Sequence, residues 1–405
     1  MYSPSSIVRM ARGMGAVALI ATSLSGSSAG QILELRKPDW SVSLDAQGYG
    51  EPTPDADVFT AVQDVAASEG SIGVLLSTRG QNAGKWRWSG SWISYLLLFD
   101  AGSGRFLSRK GPWQSDGPPR LLATPAGQWL LLLSHAPPAP AMPELAFVLL
   151  SQRGEEEKKL VLAQPPGKPA FKSTRDLLSP SGRTILVMDR WSNDIRYRFV
   201  DSDSLTIKLD RSEQQESADF EVVGISDEWI LGSSVRGARR VYALRRLEGG
   251  WQELPGFVPG NWWLASAFVD MERVAGRSFE RENQIVFPVF RTDGALEKEY
   301  VATKPAYHSF GWPLFASSDG SYLGLYVVAE NVFSYWWDVK MDMAQIGASH
   351  YLYIWRKDQR TAVARIKVGP HSTKATFLSP GGPKVAIVDG SDLKVFSLPA
   401  SSSNN

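Results

Sequence analysis

The chain has 405 residues, with 43 Lys and Arg against 42 Asp and Glu, a formal charge of +1. So even a balance gives no counterion-release attraction to nucleic acid or to an acidic lipid surface, and neither is expected as a partner. With no cysteine, a disulfide framework, a thiolate metal site and a lipid-modified cysteine are all excluded.

The first segment reads as an address. Arg9 and Arg12 stand without an acid in residues 1–12, an apolar run follows from Gly13 to Leu24, and small residues end it at Ser27-Ser28-Ala29. A basic start, a short apolar core and small residues at a cleavage point make a secretory signal peptide. The run is shorter than the roughly 20 residues a bilayer span needs. Residues 1–29 are therefore expected to be removed, leaving a mature chain that starts near Gly30 and is not stably inserted in a membrane. Export without cysteine points to a bacterial periplasm or the extracellular space.

The remainder is longer than one simple core serves, and it repeats. Short strands rich in Val, Ile, Leu and aromatics alternate with Gly, Pro, Asp and Ser turns, as antiparallel sheets require. Seven units follow one another at intervals of roughly 45–60 residues, the range of propeller blades. The first (58–110) carries Ile72–Ser77, Tyr95–Phe99 and the turn Asp100-Ala101-Gly102-Ser103-Gly104. The second (120–164) carries Trp129–Leu133 and Leu145–Ser151. The third (171–211) places Ser179-Pro180-Ser181-Gly182 before Thr184–Met188, then Arg196–Asp201 and Leu205–Leu209.

The fourth unit (220–254) has Trp229–Ser233 and Val241–Arg245, and the fifth (261–301) has Ile285–Phe290 and the turn Thr292-Asp293-Gly294. The sixth (308–368) sets Ser317-Ser318-Asp319-Gly320 before Tyr322–Ala329, then Tyr351–Trp355. The seventh (369–398) is the cleanest, with Thr373–Leu378, the turn Ser379-Pro380-Gly381-Gly382, Lys384–Val388, Asp389-Gly390 and Leu393–Leu398. Units four and five lack the Ser-Pro-Xaa-Gly turn, which leaves six or eight units open. The last unit supplies only three strands. Gln31–Lys37, in which Ile32, Leu33 and Leu35 face polar neighbours, is expected to become its fourth, outer strand and so remove an exposed sheet edge. The expected architecture is an all-β propeller of seven four-stranded blades in one domain, residues 30–400, with 401–405 as a disordered polar tail.

Residues 369–398 resemble the WD40 and related YVTN-type propeller repeats. His371 takes the place of that family's Gly-His motif, Ser379-Pro380-Gly381-Gly382 resembles its Ser-Pro-Asp-Gly turn, and Phe396 stands where its Trp-Asp strand has Trp. Tyr353-Ile354-Trp355 and Leu98-Phe99-Asp100 are partial echoes. The resemblance implies a structural hydrogen-bond network between His371 and an aspartate of a following turn, with Asp389 and Asp392 as candidates. It also implies an interaction platform, although fold by itself assigns no function.

Two insertions interrupt the repeat. Between the middle strands of unit six runs Asn331 to Met343, which contains Tyr335, Trp336 and Trp337. In unit one, Lys85 to Trp92 contains Trp86, Trp88 and Trp92. Long loops in compact domains are often functional, and aromatics on them supply stacking surfaces for a sugar or anchors for a protein. Packing on a neighbouring blade explains them equally well.

Catalytic signals are sparse. The histidines at 135, 308, 350 and 371 form no His-Xaa-Xaa-His or His-Glu-Xaa-Xaa-His pair. No Gly-Xaa-Ser-Xaa-Gly nucleophile motif is present, and the acidic turns are too thin for calcium. A quinone cofactor is not expected, because the tryptophans do not recur at one position per unit. The expected function is an exported, non-catalytic scaffold that binds a protein or polysaccharide, without cofactor or metal. The alternative is an extracytoplasmic hydrolase or lyase with carboxylates at the mouth of the central channel.

Overall fold

The computed structural model describes residues 32–47, 58–81, 88–135, 144–163, 173–191, 194–214, 221–236, 239–247, 249–254, 268–306, 308–330, 348–369, 374–378 and 383–399. These form a seven-bladed β-propeller, in which each blade is an antiparallel sheet of strands a to d counted outward from the central channel.

Blade one is Val58–Ser68, Ser71–Gln81, Trp88–Asp100 and Phe106–Ser115. Blade two is Arg120–Ala123, Trp129–His135, Glu144–Leu150 and Glu156–Ala163. Blade three is Ser173–Leu178, Thr184–Trp191, Asp194–Asp201 and Ile207–Gln214, and blade four is Glu221–Ile225, Trp229–Arg236, Arg239–Arg246 and Gln252–Glu253. In blade five, Arg273–Ala275 and Phe279–Arg281 both pair with Gln284–Arg291, so they are two halves of a broken strand b. Leu296–Thr303 lies outside them, and strand a is marked by the bridge from Phe268 to Val274. That break accounts for the weak repeat of unit five. Blade six is His308–Ala316, Tyr322–Glu330, Ser349–Arg356 and Ala364–Val368, and blade seven begins with Lys374–Leu378, Lys384–Asp389 and Asp392–Ser397.

No single core serves the molecule. Among the described residues, buried apolar side chains gather into seven clusters, and each lies between two neighbouring blades. Leu96 meets Trp129 across blades one and two, and Phe147 meets Ile185 across two and three. Phe199 joins Ile230 across three and four, Leu244 joins Val274 across four and five, and Phe287 joins Trp355 across five and six. Ile354 with Ile387 seals six against seven, and Ile72 with Val395 seals seven against one. A strand buried on both faces needs apolar residues at successive positions rather than alternation. The run Leu130-Leu131-Leu132-Leu133, buried throughout, is of this kind. Fully burying such a side chain is worth about 1.5–3 kcal/mol.

Glycines in the c–d turns receive the preceding blade. Gly104, Gly154 and Gly294 all have positive φ. A Cβ on them would lie 2.6 Å from Trp40, 2.7 Å from Lys110 and 3.2 Å from Leu254, respectively. Each of those partners belongs to the outer region of the blade before. Only a residue without a side chain permits both this turn and this approach.

The N-terminal segment corrects the expectation for Gln31–Lys37. Leu33–Leu35 pairs in parallel with Ala364–Val368, as a fifth strand on blade six. The fourth strand of blade seven is Trp40–Ser43, antiparallel to Asp392–Ser397. Alternation is present in both segments, but Trp40 and Val42 pack on the cluster between blades seven and one, whereas Leu35 packs on the cluster between six and seven.

Candidate functional site

The a–b turns of neighbouring blades touch one another. Ser68 Oγ of blade one donates to the Gly127 carbonyl of blade two (2.6 Å), and Ser181 Oγ of blade three donates to Asp227 of blade four (2.8 Å). Arg273 of blade five donates to the Gly320 carbonyl of blade six (3.2 Å). These turns mark one end of the propeller. Strand b of every blade runs away from that end, so the strand ends that bound the two aromatic insertions, Gln81 with Trp88 and Glu330 with Ser349, share the opposite end. Blade seven alone separates them.

Tyr335, Trp336 and Trp337 lie outside the described residues, as does Trp86. Trp88 opens strand c of blade one and is opposite Gln81; Trp92, half-buried, is opposite Arg79 and Ser115. The register slips between Arg79 and Gln81, so period-two alternation is interrupted between Trp88 and Trp92. Bulges of this kind re-aim side chains at sheet ends.

Between blades six and seven, near the same end, sits a polar group of residues that the sequence did not point to. Tyr326, Glu330 and His350 are all nearly inaccessible. Tyr326 Oη lies 2.9 Å from His350 Nδ1 and 3.2 Å from the Gly369 carbonyl. Burial, and then the nearby negative charge of Asp389, push the Tyr326 phenol up to about 12. Asp389 accepts from the Gly369 N–H (2.7 Å) and from Lys394 Nζ (2.7 Å). It thus holds the segment leading to His371, which itself lies outside the described residues. The spacing of Tyr326 and His350 on adjacent strands was visible, but only the tertiary structure shows that they meet.

At the a–b end the channel opens into a cavity of about 450 Å³, lined from blades one, two, three, six and seven. It contains two carboxylates, Asp64 and Glu69, and one cation, Arg120. Asp64 is committed: its carboxylate accepts from the N–H groups of Val65 (3.0 Å) and Leu121 (3.2 Å). A second cavity of about 650 Å³ lies between blades five and six, away from the channel. It collects Asp270, Glu272, Asp293, Glu297 and Asp319, most of them paired. Asp270 holds Arg273 at 2.6 Å, Asp293 pairs with Arg291, and Asp319 accepts from Ser317 and Ser321. For Asp319, burial opposes ionisation, but those hydrogen bonds prevail and lower its pKa. Among the described residues, no cluster of three or more His, Asp or Glu is arranged to hold a metal ion. No helix among them is long and apolar enough to cross a membrane.

Neither a protein-family model nor a curated protein matches the sequence. Solved structures are similar in fold. The propeller domain of the trilobed protease from Pyrococcus furiosus is 12% identical over 84% of this chain and 93% of that one, with a TM-score of 0.46. The Pyrococcus horikoshii acylaminoacyl peptidase is 11% identical over 85% of this chain, with a TM-score of 0.47. A post-proline cleaving enzyme from Rickettsia typhi is 11% identical over 82%, with a TM-score of 0.41. This chain spans 53% and 50% of those two peptidases. The likeness is one of propeller fold, and no activity is carried over with it.

Proposed function

We propose that the protein is an exported, non-catalytic β-propeller that binds a protein or polysaccharide at the end opposite its a–b turns. The observation that carries this reading is topological. Both aromatic insertions join strand b to strand c, on blades one and six, and their flanking strand ends share one end of the propeller. Aromatic side chains supply large contact area at low entropic cost, which suits them to sugar stacking and to protein anchoring. The carboxylates at the a–b mouth do not favour a hydrolase there, because Asp64 already serves two backbone amides.

The test is retention of proteins and glycans from a cell-envelope extract on the immobilised chain. The W336A/W337A double variant is expected to retain less while melting at an unchanged temperature. Equal retention, or a large fall in melting temperature, would remove the insertion in blade six from the binding surface.

A further inference from the structure

Blade six carries one strand more than the repeat requires. Trp40–Ser43 closes the ring on blade seven, so Leu33–Leu35 adds only to a blade that already has four strands. The edge it covers differs from the outer strands of the first three blades. Those of blade one include Arg109, Lys110 and Pro112, those of blade two Glu156, Glu157, Lys158 and Lys159, and those of blade three Lys208, Asp210, Arg211 and Glu213. Charges and proline blunt a free edge against further pairing. In Ala364-Arg365-Ile366-Lys367-Val368 the alternate residues Ala364, Ile366 and Val368 are buried, and both charges are positive.

The resident strand covers this edge only in part. It pairs with three of the five residues, Leu33 opposite Ala364, Glu34 opposite Arg365 and Leu35 opposite Ile366. Leu33 is 49% exposed, and its N–H donates to the Val363 carbonyl at 3.3 Å. Glu34 accepts from Arg365 at 3.3 Å. One residue further on, the same register would set Arg36 beside Lys367, and like charges on neighbouring strands repel. Pairing stops there, and Arg36 donates back to Glu34 at 3.3 Å. The cover ends where its charge ceases to match.

We propose that the outer edge of blade six is a docking site for an extended protein segment in which apolar and acidic residues alternate, and that Leu33–Leu35 is its short resident guard. A segment of the form apolar–acid–apolar–acid–apolar sets its acids beside Arg365 and Lys367, and its apolar residues beside Ala364, Ile366 and Val368. It pairs along the whole strand, where the guard pairs along part of it. In such strand addition the main-chain bonds supply affinity and the alternate side chains supply selectivity. The site is independent of the aromatic insertions and of the function proposed for them.

The probes are two capped peptides, Ile-Leu-Glu-Leu-Glu-Leu and Ile-Leu-Lys-Leu-Lys-Leu, read by saturation-transfer NMR on the full chain. In L35S, which loosens the guard, the acidic peptide is expected to show saturation at its leucine methyls. Wild type, where the guard competes, should bind it about tenfold more weakly. The basic peptide should bind neither protein. Lys367 is exposed, and L35S/K367E should hold the acidic peptide about fivefold less tightly than L35S, because one acid then faces another. L35S should keep a single melting transition, since Trp40–Ser43 still closes the ring. No transfer from L35S, equal transfer to the two peptides, equal binding by wild type and L35S, or indifference to K367E would overturn the proposal. So would loss of the single transition in L35S, which would make the guard part of the closure.

Discussion

Trp40 lies against Gly104. The indole Nε1 donates to the Ala101 carbonyl at 3.2 Å, and a Cβ on Gly104 would stand 2.6 Å from the six-membered ring. Trp40 belongs to the strand that completes blade seven, and Gly104 to the c–d turn of blade one. The contact packs the strand that completes blade seven onto blade one, while the ring itself is closed by the pairing of Trp40–Ser43 with Asp392–Ser397.

Substituting Gly104 with Ala should destabilise the protein by about 2 kcal/mol or more, because the residue combines a φ of +73 with this close approach. W40A should relieve part of that clash, so the G104A/W40A double variant should cost less than the two single costs combined. Urea denaturation of the four proteins gives the cycle. Strict additivity would mean that the indole and the turn do not press on each other.

Truncation should separate the two N-terminal strands. Removing residues up to 37 takes away only Leu33–Leu35, a three-residue parallel addition to blade six, and should lower the melting temperature modestly. Removing residues up to 44 also strips Trp40–Ser43 and Leu44, which is fully buried, and should abolish a single cooperative transition. Calorimetry of both truncations distinguishes the outcomes. Equal effects would assign no special role to the seventh-blade strand.

Asp201 should stabilise the fold at neutral pH and make that stability sensitive to acid. Burial disfavours its charge, but hydrogen bonds from Lys208 and Ser204 outweigh it and bring the pKa from 3.8 to about 2. A lowered folded-state value stabilises the fold above the unfolded pKa, and that stability is lost as pH falls through about 2. D201N should therefore lose stability at pH 7 and narrow its gap to wild type between pH 4 and 2. Denaturation at these pH values reads the difference, and a gap that stays constant would contradict the assignment.

Asp189 and Arg198 form an ion pair in blade three, with 0% and 4% of each residue exposed. Burial raises the Asp189 pKa despite the attraction of Arg198. A raised carboxylate value works the other way from Asp201. It favours the fold below pH 3.8, and the advantage disappears as pH rises through the folded-state value. R198M should cost about 3–5 kcal/mol at neutral pH by stranding the carboxylate, and D189L/R198M should recover much of it. The loss in R198M should shrink near pH 4. A loss independent of pH would point to packing instead of charge.

Much of the scaffold was legible in the sequence. Turn residues and apolar runs are local signals, and they placed all seven blades, including the weak fourth and fifth. The third, sixth and seventh stood out because they carry the turns that begin at Ser179, Ser317 and Ser379, and the seventh is the cleanest copy. The closing strand was misplaced by a few residues. Leu33–Leu35 and Trp40–Ser43 both alternate, and alternation says that a strand has an inner face without saying which sheet edge it joins.

Composition and local pattern by themselves determined the repeat, the all-β class and the aromatic insertions, because hydrophobic periodicity and turn chemistry act over a few residues. Tertiary structure alone decided which strand closes the ring, that strands bounding the insertions end on one side, and that Tyr326 meets His350. Those facts depend on contacts between residues far apart in sequence, as Trp40 and Gly104 are, and no local pattern encodes which distant surface a side chain will meet.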